Sequence, residues 1–271
     1  MKNRIITSSF CMLLLLSGCI VDVVEQSTER WSYASGKGLL SVYFDASIFR
    51  QTFAVHGSTV DTLIADGIFS LWSPGQSKAS EFANNVNMYW SIDTLHHGQL
   101  VTYADGPQKE LLSIDKMTAT VPTNAYLAVN TTSNDVSIDG MKGDINVSGT
   151  SSNITFATTG RMILQTESGN ITGSSGLGGS IHTTSGDVIV SIPSKGFESV
   201  VIRDDSTGNV NLRIAGGAGI TFVLATSHGN IALNYDGIAM NSLTAIQAIA
   251  NGGGKNVFVA TTHGNITVSN Y

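Results

Sequence analysis

The stretch TSSNITFATTGRMILQTESGNITGSSGLGGSIHTTSGDVIV, residues 150–190, contains repeated copies of one short sequence motif. Each copy has a Ser or Gly followed by an anchor, Asn153, Asn170 or Asp187, and then apolar residues that alternate with other residues. A period of two is typical of a β-strand that buries one face. Gly, Asn and Asp favour tight turns. The stretch therefore predicts short strands that are separated by a recurring turn.

The same motif recurs on both sides of this stretch. The further anchors are Asp135, Asp144, Asn209, Asn230 and Asn265. Spacings between neighbouring anchors lie mostly near nine residues or near twice that. Such short strands bury too little apolar surface alone, whereas stacked coils share one continuous core. We therefore predict an all-β fold, a β-solenoid resembling a single-stranded β-helix, in which successive coils contact each other.

The alternation also predicts which side chains face the core. The inward set is apolar and consists of Val136, Ile138, Ile145, Val147, Ile154, Phe156, Val188, Val190, Ile192, Val210, Leu212, Ile214, Ile266 and Val268. The outward set is polar and consists of Ser137, Asn146, Thr155, Asn211 and Thr267. The solenoid would therefore present an elongated surface rich in Ser, Thr and Asn.

A different pattern precedes the repeats. Within residues 31–118, LLSVYFDASIF and TVDTLIADGIFSLW resemble strands, whereas Phe82, Val86 and Tyr89 fall at helical spacing. Solenoid ends need a cover, because a terminal coil otherwise exposes strand edges and core. We predict a β-rich N-terminal cap over residues 31–118, with room for one short helix, followed by the solenoid domain over residues 119–271.

The N-terminus is predicted to be an export signal. Lys2 and Arg4 precede a short apolar run in MKNRIITSSFCMLLLLSGC, a pattern too short for a membrane-spanning helix. The final LSGC resembles the lipobox of bacterial lipoproteins, which implies cleavage before Cys19 and lipidation of that cysteine. We therefore predict a signal peptide over residues 1–18 and a lipid-anchored tether over residues 19–30. A cleaved signal without lipid is the alternative.

Charge and cysteine content narrow the location and the partners. Removal of Lys2 and Arg4 from 14 basic residues leaves 12 against 20 acidic residues, a net charge of −8. No basic patch suggests nucleic acid, so none is expected as a partner. Cys11 lies in the predicted leader, which leaves no intramolecular disulfide. Ile20 replaces the aspartate that retains many Gram-negative lipoproteins in the inner membrane, so an outer-membrane location is expected in a Gram-negative cell.

Two arrangements are candidate metal sites. The anchors mix Asp with Asn, whereas a calcium ladder needs carboxylates at fixed places, so a turn role is favoured. His228 and His263 occupy the position in the repeat, two residues before the anchor, that Ser168 and Ser185 occupy in other copies. Stacked in register, the two imidazoles could approach each other, but nothing in these turns completes a zinc or copper ligand set. We predict no metal site and no cofactor.

Asp204 and Asp205 invite comparison with polysaccharide-cleaving β-helix enzymes, which gather acids and basic residues on one face. Arg203 and Lys195 are the nearby basic residues. Neighbouring strand residues point to opposite faces, so one adjacent pair does not make an acid and base couple. We therefore predict no catalytic residue, and a glycan-active enzyme stays an alternative.

The run DKMTATVPTNAYLAVNTTSNDVSIDGMKGDINVSGTSSNITFATTG, residues 115–160, resembles a family of bacterial envelope proteins described as adhesins of unknown function with β-strand repeats. A strand ends at Pro122 and is followed by Ser-Asn and Gly-Asp turns; Pro193 before Asn209 resembles the same unit. The resemblance implies an envelope β-solenoid, often membrane-tethered, without established catalytic residues. Our hypothesis is a non-enzymatic, adhesin-like lipoprotein, anchored to the membrane through Cys19, that binds a protein or glycan. A passive or envelope-stress-related scaffold is the alternative.

Overall fold

The computed structural model describes residues 23–34, 41–45, 49–73, 86–92, 97–104 and 112–271. These residues form 23 strands in two sheets, called sheet A and sheet B, and they contain no helix. No segment among them could therefore cross a bilayer as a helix. The predicted signal peptide and Cys19 lie outside the described residues.

Each sheet is a single row of neighbouring strands. In order across the row, sheet A consists of β1 (Val23–Ala34), β4 (Thr62–Ser73), β7 (Leu112–Pro122), β3 (Phe49–Ser58), β9 (Asp135–Met141), β11 (Ile154–Thr158), β13 (Ile171–Ser175), β15 (Val188–Ile192), β17 (Val210–Ile214), β23 (Ile266–Asn270), β19 (Ile231–Tyr235) and β20 (Ile238–Ser242). Sheet B consists of β5 (Val86–Ile92), β6 (His97–Ala104), β2 (Ser41–Asp45), β8 (Tyr126–Asn130), β10 (Ile145–Ser151), β12 (Met162–Ser168), β14 (Gly178–Ser185), β16 (Ser199–Thr207), β22 (Lys255–His263), β18 (Ile220–His228) and β21 (Ala245–Ala250).

From β8 to β19 the chain alternates between the sheets, so each coil contributes one strand to each wall. Equivalent strands of neighbouring coils are parallel and in register: Ile154 lies beside Ile171, which lies beside Val188. This arrangement confirms the predicted all-β solenoid. Each coil has two flat walls and two turns, and the core lies between the walls.

The predicted inward set is confirmed. Every one of its side chains is at most 2% exposed, and they belong to one core cluster. In the outward set, Ser137, Thr155 and Thr267 are exposed, and Asn146 and Asn211 are half-buried. Because a buried aliphatic side chain contributes about 1.5–3 kcal/mol, this shared core supplies the main force that holds the coils together.

The anchors form a ladder along one edge of the solenoid. The side-chain oxygen of Asn153 accepts the backbone N–H of Asn170 at 2.9 Å, and that of Asn170 accepts the N–H of Asp187 at 2.9 Å. Gly169, at φ 122°, has no room for a side chain, since a Cβ there would lie 2.3 Å from the carbonyl oxygen of Ser152. The anchors therefore have the turn role that the sequence predicted.

The coils do not stack strictly in chain order. The last coil, β22 and β23, is inserted between the coil of β16 and β17 and the coil of β18 and β19. At the other end, β2 and β3 lie between the coil of β6 and β7 and the coil of β8 and β9. The expectation that each coil contacts its sequence neighbours is therefore wrong at both ends.

Strands of the predicted N-terminal cap region belong to the same two sheets as the repeats. Four of its strands, β2, β3, β6 and β7, pair in parallel within the same two sheets, and the predicted boundary after residue 118 falls inside β7. Residues 23–30, predicted as tether, belong to β1 and pair with β4. The antiparallel strands β1, β4 and β5 form the end of the solenoid.

The suggested helix is wrong where the structure describes it. Val86 and Tyr89 both belong to strand β5, and Phe82 lies outside the described residues. The same segment also has the alternating residues Val86, Met88 and Trp90, a period of two that fits a strand equally well. Pairing with β6 decides between the two patterns.

Candidate functional site: a depression on the outer face of sheet B

A depression lies on the outer face of sheet B, where β16, β22 and β18 run side by side. Its floor is low because Ala260 of β22 lies beside Ala225 of β18, and both side chains are small. Phe258 borders one side, and Thr262 and Ser227 border the other. The volume is about 290 Å³, near the lower limit of pockets that bind small molecules, about 300 Å³.

Charged side chains of β16 line the third side, and His182 of the neighbouring strand β14 contacts one of them. Nε2 of His182 lies 2.7 Å from a carboxylate oxygen of Asp205. The Arg203 guanidinium lies over the Phe258 ring, 5.6 Å from its centroid, in a cation–π contact. The Thr262 hydroxyl donates a hydrogen bond of 2.9 Å to the backbone carbonyl of Asp205. The depression therefore combines an aromatic ring with a carboxylate, a guanidinium and hydroxyl groups.

Asp204 lies beneath the depression, on the core side of β16. Its side chain is 3% exposed and accepts hydrogen bonds from the Thr261 hydroxyl at 3.3 Å and the Ser206 N–H at 3.2 Å. Burial raises the pKa of this carboxyl above its ordinary value, although both hydrogen bonds oppose the shift. In register, Asp204 replaces a threonine: Thr183 lies beside it on one strand and Thr261 on the other.

The two aspartates therefore face opposite sides of β16, as the alternation predicted. Asp205 is exposed and Asp204 is buried, so they do not flank one substrate-sized space. Of the two nearby basic residues, Arg203 lines the depression, whereas the Lys195 ammonium lies close to Gly217, in a turn. The structure thus separates the group that resembled a glycan-cleaving centre.

His228 and His263 do lie side by side. They are register partners on β18 and β22, with ring centroids 4.5 Å apart and planes 5° apart. An imidazole lone pair lies in the plane of its ring, so in this geometry the lone pairs of the two rings lie in nearly parallel planes and do not converge on one ion. Among the described residues, no group of three or more His, Cys, Asp or Glu side chains could hold a metal.

The sequence did not single out Phe258, Thr262 or Ser227. One signal was present: alternation in GGKNVFV places Val257 and Val259 inward and therefore leaves the aromatic Phe258 on the outside. The neighbours of Phe258 were not predictable, because they depend on the insertion of β22 between β16 and β18.

The fold is a two-walled β-solenoid with a polar, partly aromatic depression on one wall. A family model described as Toastrack DUF4097 matches residues 113–269, more than half of the chain. The chain belongs to this family, which confirms the resemblance to β-repeat proteins of the adhesin type. No curated protein matches the chain significantly.

Several solved structures are similar to this chain. A candidate adhesin from Parabacteroides merdae has 10% identity and a TM-score of 0.39, over 91% of this chain and 96% of that chain. A candidate cell adhesion protein from Clostridium sporogenes has 8% identity and a TM-score of 0.35, over 90% and 100%. A candidate lipid-binding protein from Parabacteroides distasonis has 11% identity and a TM-score of 0.33, over 88% and 96%.

Proposed function

We propose that the chain is a non-enzymatic lipoprotein of the cell envelope that binds a glycan in the depression on sheet B. The observation that carries this proposal is the combination of Phe258 with Asp205, Thr262 and Ser227 around a low alanine floor. A sugar ring has an apolar face and a rim of hydroxyls. The Phe258 side chain can pack against the apolar face, and the carboxylate and hydroxyl oxygens can form hydrogen bonds with the sugar hydroxyls.

The position of the depression also supports binding. It lies on regular strands, which hold side chains more rigidly than loops do. Arg203 and the carbonyl of Asp205 hold Phe258 and Thr262 in place, so these side chains are already ordered before a ligand arrives. Preorganisation of this kind reduces the entropic cost of binding.

Envelope anchoring rests on the leader sequence. The apolar run and the LSGC motif support export and lipidation of Cys19, and isoleucine rather than aspartate at position 20 supports the outer membrane in a Gram-negative cell. Detergent partitioning of the full chain tests the anchor. The parent should enter the detergent phase and Cys19→Ala should stay in the aqueous phase; equal partitioning would contradict the anchor.

Site-specific photo-crosslinking in intact cells tests the binding site. A photoreactive residue at Thr262 or Ser227 should give crosslinked products that glycan-degrading enzymes shift in mass. The same residue at Thr172, an exposed position on sheet A, is the matched control and should not give them. Phe258→Ala should abolish the products at Thr262. Equal crosslinking at Thr172 would contradict the proposal, and products that only proteases shift would indicate a protein ligand instead.

Release of product from purified cell-wall or capsular polysaccharide tests the enzymatic alternative. The proposal expects no release by the parent protein. Release that is lost in Asp205→Asn would contradict a purely binding role and would make Asp205 a catalytic candidate. If the protein is instead a passive scaffold, variants that disrupt the core should cause envelope defects, whereas Phe258→Ala should cause none.

A further inference from the structure

The C-terminal end of the solenoid presents two strand edges. Within the described part of the chain, β20 pairs only with β19 and β21 only with β18, so each strand is the outermost of its sheet. An edge strand presents a row of backbone N–H and C=O groups that another strand can use. A turn through Leu243 joins β20 to β21, so both edges lie at the same end of the molecule.

This end leaves apolar surface uncovered. Met240 of β20 faces the same side as its partner Leu233 of β19, yet Met240 is 40% exposed and Leu233 is 1% exposed. Leu243, in the turn, is 69% exposed, and Ile249, beside Thr221 on the outer face of sheet B, is 67% exposed. The core layer is therefore open at Met240, and exposed apolar residues concentrated at one end mark an interaction surface.

The two edge strands and the turn between them carry no charge. Between Asp236 and Lys255 the chain contains no Asp, Glu, Lys, Arg or His, although its overall net charge is −6. At the opposite end of sheet A the edge strand β1 contains Glu25, Glu29 and Arg30, and such charges discourage edge pairing. The side chains of β20 and β21 therefore place no like charges against each other when two copies of this acidic chain meet through these edges.

We propose that two copies of the chain associate end to end through β20 and β21. A twofold axis normal to the sheets keeps sheet A in line with sheet A of the second copy and sheet B with sheet B. The same rotation reverses the strand direction, so β20 and β21 each meet their own copy in antiparallel pairing, at the usual spacing of about 4.8 Å. Both sheets then continue across the interface.

The interface closes at two copies because each uses the same surface. Met240 of one copy covers the open core layer of the other. The axis also turns both sheet B faces to the same side, so the dimer presents two depressions in one direction. This last consequence rests on the proposed function, and it would increase the avidity for a repeating ligand. The dimer itself does not depend on any ligand.

Sedimentation equilibrium of the full chain, purified in a density-matched neutral detergent, tests the dimer. The parent should have twice the monomer mass. The double variant Leu243→Glu/Ile249→Glu should be monomeric or dissociate at least tenfold more readily, because it adds like charges to both sides of the interface. Ile189→Glu, at a 48% exposed position on the face of sheet A, is the matched control and should remain dimeric.

A charge-reversal pair separates loss of the interface from loss of folding. Leu243→Lys/Ile249→Lys should also be monomeric alone, and mixing it with the glutamate variant should restore the dimer mass. The proposal would be overturned if the parent were monomeric or if the glutamate variant were dimeric. It would also be overturned if the mixture stayed monomeric while both variants retained the β-sheet circular dichroism of the parent. Crosslinking at Thr262 can fail without affecting this result, so the two proposals are tested separately.

Discussion

His228 and His263 lie stacked, with ring centroids 4.5 Å apart, although β18 and β22 are not consecutive strands. The contact exists because the C-terminal coil is inserted in front of the coil that precedes it in the chain. In the neighbouring coils the same slot holds Ser185 and Thr207, which continue the row in register. The histidines therefore occupy a position that the fold also fills with small hydroxyl side chains.

Replacing both histidines with serine should leave the protein folded. We expect His228→Ser/His263→Ser to lose about 1 kcal/mol of stability or less, the order of a surface ring contact. Thermal unfolding measures this change. Photo-crosslinking of the glycan at Thr262 should persist in the variant. Zn²⁺ should not raise the melting temperature of the parent more than that of the variant. A zinc-dependent stabilisation that disappears in the variant would restore a metal site at this position.

A charge in the core should disrupt the solenoid. Ile154 of β11 is fully buried, so Ile154→Asp leaves a carboxylate without water and should cost more than about 4 kcal/mol. Chemical denaturation followed by circular dichroism measures the loss. Ile163→Asp in β12 is the matched control, because Ile163 is 49% exposed and points away from the core. Similar losses for the two variants would contradict the inward and outward assignment.

Replacing Asp204 with threonine should stabilise the protein at neutral pH. Burial raises the folded-state pKa of Asp204 above its ordinary value of 3.8, so the folded state holds its proton more tightly than the unfolded state. The contribution of this carboxyl to stability is therefore greatest below pH 3.8 and falls as pH rises towards the folded-state pKa.

Threonine already fills the adjacent positions Thr183 and Thr261. We therefore expect Asp204→Thr to gain about 1 kcal/mol at pH 7, a gain that shrinks as the solution is acidified. Denaturant titrations at several pH values measure it. Asp205→Thr, on the exposed face of the same strand, should show no such gain. A loss of stability at pH 7 on changing Asp204 would assign its carboxylate a role beyond packing.

Asp236 should stabilise the C-terminal end through its charge. It has a φ of 45°, and its carboxylate accepts hydrogen bonds from the Gly217 N–H at 2.6 Å, the Asn251 amide at 2.6 Å and the Asn270 amide at 3.0 Å. These bonds, the Gly217 bond above all, lower the pKa of Asp236. Its stabilisation is present above pH 3.8 and disappears as pH falls below that value.

Asn tolerates a positive φ, so Asp236→Asn removes the charge with little backbone strain. We expect the melting temperature at pH 7 to fall by about 2–4 °C, a small change because solvent screens this exposed carboxylate. The difference from the parent should narrow below pH 3.8. Asp61→Asn, in the exposed turn before β4, is the control and should have almost no effect. A pH-independent difference for Asp236→Asn would contradict a role of the charge.

The alternation of apolar and polar residues was sufficient to predict the buried face of the repeat strands. The alternation after Asn153 correctly placed Ile154 and Phe156 in the core and Thr155 outside, since strand geometry forces alternate side chains to opposite faces. It was insufficient where two periods fitted one segment. Val86 and Tyr89 satisfied a helical spacing, and only pairing with β6 resolved them as a strand.

The sequence by itself determined the all-β class, the recurring turn and the buried face of each repeat, because these depend on residues that are close together in the chain. Tertiary structure alone decided the order in which the coils stack. Parallel strands of similar pattern can pair in more than one order, and the order adopted depends on the summed packing of distant segments. The insertion of β22 beside β16 brought Phe258 to Arg203 and His263 to His228, and it thereby created the depression that no single repeat contains.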